Sequence, residues 1–327
     1  MMESILFLIG GLVALVIGGE LLVRGAVGLA EKAGISPLVI GLVIVGFGTS
    51  MPELVTSIEA ALAGSPAIAW GNIVGSNIAN VFLILGVAAL VMPVPIRSAS
   101  PLRDPMVALL ASVALLLLAI TGIGNALVGA VLVAALLAYV FWCYREETQA
   151  APQVVHNAPY DRAQALELAD PGLHQPGGGF LRPVLLTVVG LAVLIGGGRL
   201  LVTGAIDLAR LAGLTETLIG LTIVAVGTSL PELVTSVIAA RKGEAEVAFG
   251  NVVGSCIYNL LGIGGATMLL APGSVPRNLM PVDIGVMIGG ALAVVLLTVV
   301  FRKVGRISAG ALIAAYAAYL TWLISTA

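Results

Sequence analysis

Long apolar stretches separated by short polar ones run through this chain from end to end. Each holds about 20 residues, the length that a helix needs to span the hydrocarbon core of a bilayer. The pattern predicts ten membrane-spanning helices with these bounds: 4–24, 36–62, 67–92, 104–121, 124–144, 183–206, 215–241, 246–271, 280–301 and 306–324. Composition agrees, because 59% of the residues are hydrophobic and only 10% are charged. The sequence therefore predicts an all-α membrane protein.

Basic residues are distributed unevenly between the two sides that ten spans create. Twelve of the 15 lysines and arginines fall on the side that holds the long loop between the fifth and sixth spans. Because basic residues concentrate in cytoplasmic loops, we expect this loop to be cytoplasmic and both termini to lie outside. The protein is then a multi-pass protein of the plasma (inner) membrane.

A polar segment divides the chain into two halves. Residues 145–182 are rich in proline, glycine and acids, and they predict a cytoplasmic linker between a first five-helix unit, 1–144, and a second, 183–327. The two cysteines, Cys143 and Cys256, have no spacing that indicates a metal site or a disulfide. We interpret both as packing residues.

The two halves repeat each other at a constant offset of 179 residues. The motif GTSMPELVTS at 48–57 returns as GTSLPELVTS at 227–236. Since each half has five spans, an odd number, the two copies enter the membrane from opposite sides and are related by an axis in the membrane plane. The sequence thus predicts two inverted-topology five-helix repeats whose equivalent residues meet near the middle of the membrane.

Glu53 and Glu232 lie at the same position of the two motifs, deep within apolar spans. A carboxylate there costs roughly 2.5–3.5 kcal/mol on insertion scales, so we interpret both as functional; an acid bonded only to a neighbouring helix is the less favoured alternative. Pro52 and Pro231 precede them. Proline lacks an N–H and crowds the carbonyl four residues earlier, so helices two and seven are predicted to break at the GTSxPE motifs.

The following helix of each half carries a stripe of polar residues spaced four apart. Asn72, Ser76 and Asn80 form the first stripe, and the second repeats it as follows: Asn251, Ser255 and Asn259. Such a stripe could serve only to form hydrogen bonds between neighbouring helices. Together with the glutamates, however, it offers oxygen ligands alone, with no repeated histidine or cysteine, which is the donor set that hard cations such as Ca²⁺ prefer. Two carboxylates neutralise one Ca²⁺ or two Na⁺, so these ions would compete for one site.

These motifs resemble the two alpha repeats of the sodium/calcium exchangers in the cation/calcium antiporter superfamily, most closely those of compact prokaryotic members. The resemblance is specific over 41–86 and 220–265. It implies a secondary active antiporter that exchanges Na⁺ for Ca²⁺ by alternating access, with the first and sixth helices sliding across the core. It also implies four clustered cation sites, with these residues as ligands: Glu53, Glu232, Thr49, Thr228, Asn80, Asn259, Ser50, Ser229, Ser76, Ser255 and the backbone carbonyls of Gly46 and Ala225.

Other functions stay open at this point. The glutamates could carry protons in Ca²⁺/H⁺ antiport. Asn259 stands where some related prokaryotic exchangers carry Asp, which leaves the ion stoichiometry and any K⁺ dependence undecided. A solute symporter or a cation channel is disfavoured, because the motif offers crowded small residues and paired acids. We expect no enzyme activity, no cofactor, no nucleic acid and no obligate protein partner; the expected partners are the lipid bilayer and the transported ions, Ca²⁺ and Na⁺.

Overall fold

The structure is a computed structural model, and it describes residues 2–32, 50–96, 102–149, 164–165, 168, 180–241, 243 and 245–326. The helices are α1 (Met2–Lys32), α2 (Met51–Leu62), α3 (Pro66–Val91), α4 (Arg103–Thr121), α5 (Ala126–Gln149), α6 (Leu181–Ala212), α7 (Glu216–Thr228), α8 (Leu230–Arg241), α9 (Ala245–Ile257, Tyr258–Ile263 and Gly264–Leu270), α10 (Val282–Phe301) and α11 (Arg306–Thr326). Strands β1 (Val94–Pro95) and β2 (Lys303–Val304) and a 3-10 turn at Arg277–Leu279 complete the described elements.

Eight helices in this part of the chain are long and apolar enough to cross a membrane, and the bent pair α7–α8 makes nine if it crosses as one span. The prediction of an all-helical, multi-pass membrane protein is therefore confirmed. The expected span 36–62 is represented by α2 alone, since residues 33–49 lie outside the described residues. The tenth span and its break thus stay predictions.

Three helices are longer than the apolar pattern predicted. α1 continues to Lys32 rather than ending at 24, α6 to Ala212 rather than 206, and α5 to Gln149 rather than 144. Apolar content marks only the part of a helix that lies in lipid, whereas backbone hydrogen bonds extend the helix into the polar ends. α6 stops where Gly213 takes a left-handed conformation, with φ of 66°, as is common at helix C-termini.

α1 and α6 pack antiparallel at backbone contact. A Cβ atom added to Gly11 would lie 2.6 Å from the backbone nitrogen of Leu201, and one added to Gly197 would lie 2.9 Å from that of Leu15. Glycines recur every seven residues along both contact faces, at these positions: Gly11, Gly18 and Gly25 on α1, and Gly190, Gly197 and Gly204 on α6. Small residues at this spacing let two helices in a membrane approach closely, so the first helices of the two halves form one tight pair.

α7 and α8 meet at an angle of 44° across Ser229. Pro231 is the second residue of α8, a position where its missing N–H costs no intrahelical bond. At the other end of the pair, the hydroxyl of Thr215 accepts a hydrogen bond from the backbone N–H of Leu218 at 3.2 Å and caps α7. The chain thus starts a new helix two residues before Glu232.

α3 and α9 occupy the centre of the molecule. About four-fifths of the membrane-spanning window of each is buried, 78% for α3 and 83% for α9, against 28% for α1 and α6. The large side chains packed between these elements include Trp70 and Tyr258. Helices buried all round must hide their polar stripes inside the protein, so these stripes face other protein groups and not lipid.

The strands β1 and β2 pair antiparallel, with Val94 opposite Val304 and Pro95 opposite Lys303. β1 follows α3 and β2 follows α10. Because the strands pair, the C-terminal ends of α3 and α10 lie on the same face of the molecule. At the positions related to this pair by the 179-residue offset, the backbone of Gly124 contacts Gly273 and Ser274.

An ion pair joins the two halves of the chain. Arg199 on α6 lies 3.2 Å from a carboxylate oxygen of Glu59 on α2. Glu20, the residue equivalent to Arg199 in the first half, instead pairs with Arg24 within α1 at 2.6 Å. The cross-helix ion pair is therefore a point where the two repeats differ.

Candidate functional site

Glu53 and Glu232, the two acids predicted to be functional, are each only 1% exposed. Each is the third residue of its helix, Glu53 in α2 and Glu232 in α8. The first turn of a helix presents unpaired backbone N–H groups and the positive end of the helix dipole, which favour a carboxylate. Two short helices therefore each hold an acid in their first turn, within the protein interior.

Each glutamate is held by a serine from the opposite repeat. Ser229 Oγ donates a hydrogen bond to Glu53 Oε1 at 2.9 Å, and Ser50 Oγ donates to Glu232 Oε1 at 3.1 Å. The two serines have nearly the same backbone conformation, with φ and ψ of −89° and 8° at Ser50 and −86° and 7° at Ser229. The two motifs thus contact each other through these four residues, and their depth in the membrane stays a prediction.

The amides of Asn80 and Asn259, one from each polar stripe, are fully buried. Asn80 is 0% exposed, and among the described residues neither atom of its amide has a hydrogen-bond partner. Asn259 is 1% exposed; its Oδ1 lies 3.5 Å from Ser50 Oγ, and its Nδ2 has no hydrogen-bond partner in the same part of the chain. Buried amides normally find partners, so these positions fit a polar or charged ligand.

Both amides lie in π-helical segments, which the sequence analysis missed. Asn80 is the second residue of the segment Ala79–Ile84, and Asn259 is the second residue of Tyr258–Ile263. A π-helical turn shifts the following residues around the helix axis and is frequent at functional sites. The hydrophobic pattern gives no signal for it, because one extra residue in a turn does not change which residues are apolar.

The remaining predicted ligands lie close by, with different partners. Thr228 Oγ1 lies 3.0 Å from both Asn72 Oδ1 and the carbonyl of Val224, and Ser76 Oγ lies 3.4 Å from the carbonyl of Ala225. Ser255 Oγ donates to the carbonyl of Asn251 in its own helix at 2.9 Å, so its proton points away from the acids. Thr49 and Gly46 lie outside the described residues.

The donor set of this site consists of oxygen atoms. In the described residues no group of three or more histidine, cysteine, aspartate and glutamate side chains comes together. Two carboxylates surrounded by hydroxyls, amides and backbone carbonyls suit cations that prefer hard oxygen ligands. The fold and the site define a multi-pass membrane protein with two internally related halves and a buried acidic site between them.

Comparison with known proteins agrees with this class. The family model described as "Sodium/calcium exchanger protein" matches residues 3–145 and 182–325. The chain therefore belongs to the sodium/calcium exchanger family, a family of membrane exchangers that transport Ca²⁺ and Na⁺.

Individual relatives extend over the whole chain. The putative antiporter CaxA of Alkalimonas amylolytica is 35% identical and covers 100% of both chains. The sodium/calcium exchanger MaX1 of Methanosarcina acetivorans is 34% identical over 98% of both. A solved structure of the sodium-calcium exchanger NCX_Mj, soaked with Na⁺ and Sr²⁺, superposes with a TM-score of 0.63 at 26% identity and covers 97% of this chain and 98% of that one.

Proposed function

We propose that this protein exchanges Na⁺ for Ca²⁺ across the plasma membrane by alternating access. The observation that carries the proposal is the pair of buried carboxylates, each bonded to a serine of the opposite repeat. Two negative charges in such a site require a compensating charge. One Ca²⁺ or two Na⁺ supplies it, so the two ions would occupy the same carboxylates in turn. Family membership and the named relatives support this assignment.

The proposed ligands are oxygen atoms of the two motifs and of the two polar stripes. Glu53 and Glu232 bind both ions at the centre, and Asn80 and Asn259 complete that centre. Hydroxyls and backbone carbonyls of the two motifs supply the remaining positions, as follows: Ser50, Ser229, Ser76, Ser255, Thr49, Thr228 and the carbonyls of Gly46 and Ala225. The unbonded amide of Asn80 supports this set, since a cation would engage its oxygen atom.

We also propose ten spans, on the basis of how the helices run. The strand pair places the C-terminal ends of α3 and α10 on one face. Besides the bent pair α7–α8, five helices cross between these two points: α4, α5, α6, α9 and α10. The chain therefore returns to the same face only if α7–α8 crosses once. The antiparallel packing of α1 against α6 similarly requires one crossing between α1 and α3. Two units of five spans, 1–144 and 183–327, then flank the linker 145–182.

An even number of spans puts both termini on one side of the membrane. The excess of basic residues on the side of the linker supports a cytoplasmic linker and termini that lie outside. The paired strands β1 and β2 then lie on the cytoplasmic side, and Glu59, near the C-terminal end of α2, lies toward the outer side.

Uptake of radiolabelled Ca²⁺ into proteoliposomes tests the exchange reaction. Vesicles are loaded with Na⁺, K⁺ or choline at matched pH, and a further set carries a pH gradient without Na⁺. Uptake that requires internal Na⁺ supports the proposal. Uptake that ignores Na⁺ and follows the pH gradient would establish Ca²⁺/H⁺ antiport, and a requirement for K⁺ with Na⁺ would establish K⁺-dependent exchange. Flux without any counter-ion would identify a channel.

A further inference from the structure

The last serine of each motif takes no part in the contacts with the carboxylates. Ser57 lies on α2 and Ser236 on α8, each four residues beyond the glutamate, and both are 0% exposed. A buried hydroxyl needs a hydrogen-bond partner to offset its loss of hydration. In each half that partner is an asparagine of the polar stripe.

In the first half, Asn72 joins the serine to the main chain of the glutamate. Asn72 Nδ2 donates to Ser57 Oγ at 3.0 Å and to the backbone carbonyl of Glu53 at 3.3 Å. Asn72 is itself 0% exposed. Both protons of this amide nitrogen are therefore used within the protein.

The second half repeats the arrangement. Asn251 Nδ2 lies 2.8 Å from Ser236 Oγ and 3.5 Å from the backbone carbonyl of Glu232, with Thr235 Oγ1 at 3.1 Å as a further acceptor. Asn251 is also 0% exposed. The serine–asparagine bond is thus a property of both motifs.

These contacts fix which way the first amide points. A backbone carbonyl can only accept a hydrogen bond, so the nitrogen of Asn72 and not its oxygen must face Glu53. Ser57 then acts as the second acceptor for that nitrogen. The amide oxygen is directed to the opposite side, toward the other repeat.

Two of the proposed cation ligands lie close to the amide oxygen of Asn72. Thr228 Oγ1, from the other repeat, lies 3.0 Å from Asn72 Oδ1, and Ser76 Oγ lies 3.5 Å from it. Thr228 Oγ1 also lies 3.0 Å from the carbonyl of Val224. A hydroxyl has one proton and two lone pairs. When an acceptor takes the proton, the lone pairs remain to face a cation.

We propose that Ser57 and Ser236 are positioning residues for cation transport. They hold the amides of Asn72 and Asn251, and the oxygen of Asn72 in turn is one of the acceptors, beside backbone carbonyls of α7, that take the hydroxyl protons of Thr228 and Ser76. This inference rests on the proposed function, because it assigns those hydroxyls to cation binding. It explains why the tenth position of the motif is serine in both copies.

Replacing Ser57 by alanine tests the proposal. Substitution of a residue that orients a ligand typically costs 10–100-fold in metal affinity, so Ser57→Ala is expected to raise the half-saturating Ca²⁺ concentration for uptake into Na⁺-loaded proteoliposomes about 10-fold or more. Ser112→Ala is the matched control. Ser112 is 2% exposed, but its hydroxyl donates to the carbonyl of Ala108 in its own helix at 2.8 Å, so this variant should keep the wild-type concentration.

A double-mutant cycle separates positioning from general packing. If Ser57 acts through Asn72, adding Ser57→Ala to Asn72→Ala changes the half-saturating Ca²⁺ concentration no further, and the two substitutions are also non-additive in melting temperature. Wild-type Ca²⁺ affinity in Ser57→Ala, or an equal loss in both backgrounds, overturns the proposal. Should Ser57→Ala not fold, Ser236→Ala with Asn251→Ala provides the same cycle.

Failure of the proposed function would look different. The wild-type chain would then show no Na⁺-dependent Ca²⁺ uptake, while the melting temperatures of the single and double variants would still report the contact between Ser57 and Asn72. If neither Ca²⁺ uptake nor non-additive melting temperatures are observed, the assignment of Ser57 as a positioning residue is also wrong.

Discussion

Glu53 and Glu232 combine deep burial with a hydrogen bond from the opposite repeat. The serine hydroxyls orient the two carboxylates without neutralising them, and the two helix N-termini supply partial positive charge. A site built in this way keeps its acids ready for a cation, and a neutral side chain of the same shape would keep the hydrogen bonds but lose the charge.

Glu53→Gln should therefore abolish exchange. Glutamine can still accept the bond from Ser229, so the fold is expected to persist, but one of the two charges that a Ca²⁺ ion needs is gone. We expect Na⁺-driven Ca²⁺ uptake in proteoliposomes to fall by more than about 100-fold, the upper end of the range for residues that merely orient a ligand. Glu232→Gln should behave in the same way.

Glu20→Gln is the control for these two variants. Glu20 is an acid of α1 whose side chain is 52% exposed and pairs with Arg24 in the same helix, so its uptake should stay near that of the wild type. Full activity in Glu53→Gln would overturn the assignment of the site.

Among the elements, the helices with polar stripes illustrate what the sequence can and cannot predict. The spacing of Asn72, Ser76 and Asn80 predicted one polar face, and the structure buries all three residues. The π-helical segment Ala79–Ile84 was not predicted, because it depends on how α3 packs and not on which of its residues are apolar. The contacts that hold each amide also escaped prediction, since the offset of 179 residues relates equivalent residues, whereas hydrogen bonds join residues that are not equivalent.

Gly75→Ala should destabilise the packing of α3 against α7. A Cβ atom at this position would lie 2.7 Å from the carbonyl oxygen of Leu221 and 2.8 Å from the Cβ of Ala225. Such overpacking typically costs about 1–3 kcal/mol, and here it would also push Ser76 away from the site. We expect a lower melting temperature in detergent together with reduced uptake.

Gly285→Ala is the matched control on α10. A Cβ atom added there meets nothing within 4 Å, and alanine favours the helix over glycine by up to about 1 kcal/mol. Its melting temperature should therefore stay the same or rise. If Gly75→Ala melts at or above the wild-type temperature, the close approach of α3 and α7 is not needed.

The Arg199–Glu59 ion pair links the α1–α6 pair to the helix that carries Glu53. The arginine side chain is 70% exposed, so the pair contributes up to about 1 kcal/mol, as exposed ion pairs do. We expect Glu59→Gln and Arg199→Gln to change the half-saturating Ca²⁺ concentration by no more than about fivefold. Arg199→Glu should have a larger effect, because it brings two acids together.

Reversing both charges should restore the Ca²⁺ uptake that Arg199→Glu reduces. The double variant Glu59→Arg with Arg199→Glu re-forms the pair in the opposite sense, and uptake at varied Ca²⁺ concentration measures the recovery. A double variant as impaired as Arg199→Glu alone would show that the attraction between these side chains has no influence on transport.

For the whole molecule, the sequence predicted the inverted repeat because two independent patterns agree. The offset of 179 residues defines the halves, and the distribution of basic residues requires an odd number of spans in each. The antiparallel packing of α1 against α6 fits this arrangement. What the sequence could not predict is the pairing of β1 with β2, because each half contributes a strand of only two residues to it.

The proposed topology predicts opposite exposure of two loops. Ser274 follows α9 and should lie outside, whereas Lys303 lies in β2 and should be cytoplasmic; both are exposed on the molecule. Cysteine placed at Ser274 should react with a membrane-impermeant maleimide in intact cells, and cysteine at Lys303 only after the membrane is opened. The native cysteines, Cys143 and Cys256, are buried, so the background should be low. Labelling of both positions from one side would contradict the proposed ten spans.

The pairing of β1 with β2 has a mechanical consequence for the molecule. The paired strands join the first repeat to the second on one face of the molecule. On the other face, the close approach of Gly124 to Gly273 joins them at the symmetry-related position. Both contacts tie the first repeat to the second, and neither involves α1 or α6. In the exchange cycle that we propose, the two repeats therefore stay joined at both faces, and the glycine-packed pair of α1 and α6 is expected to move relative to them.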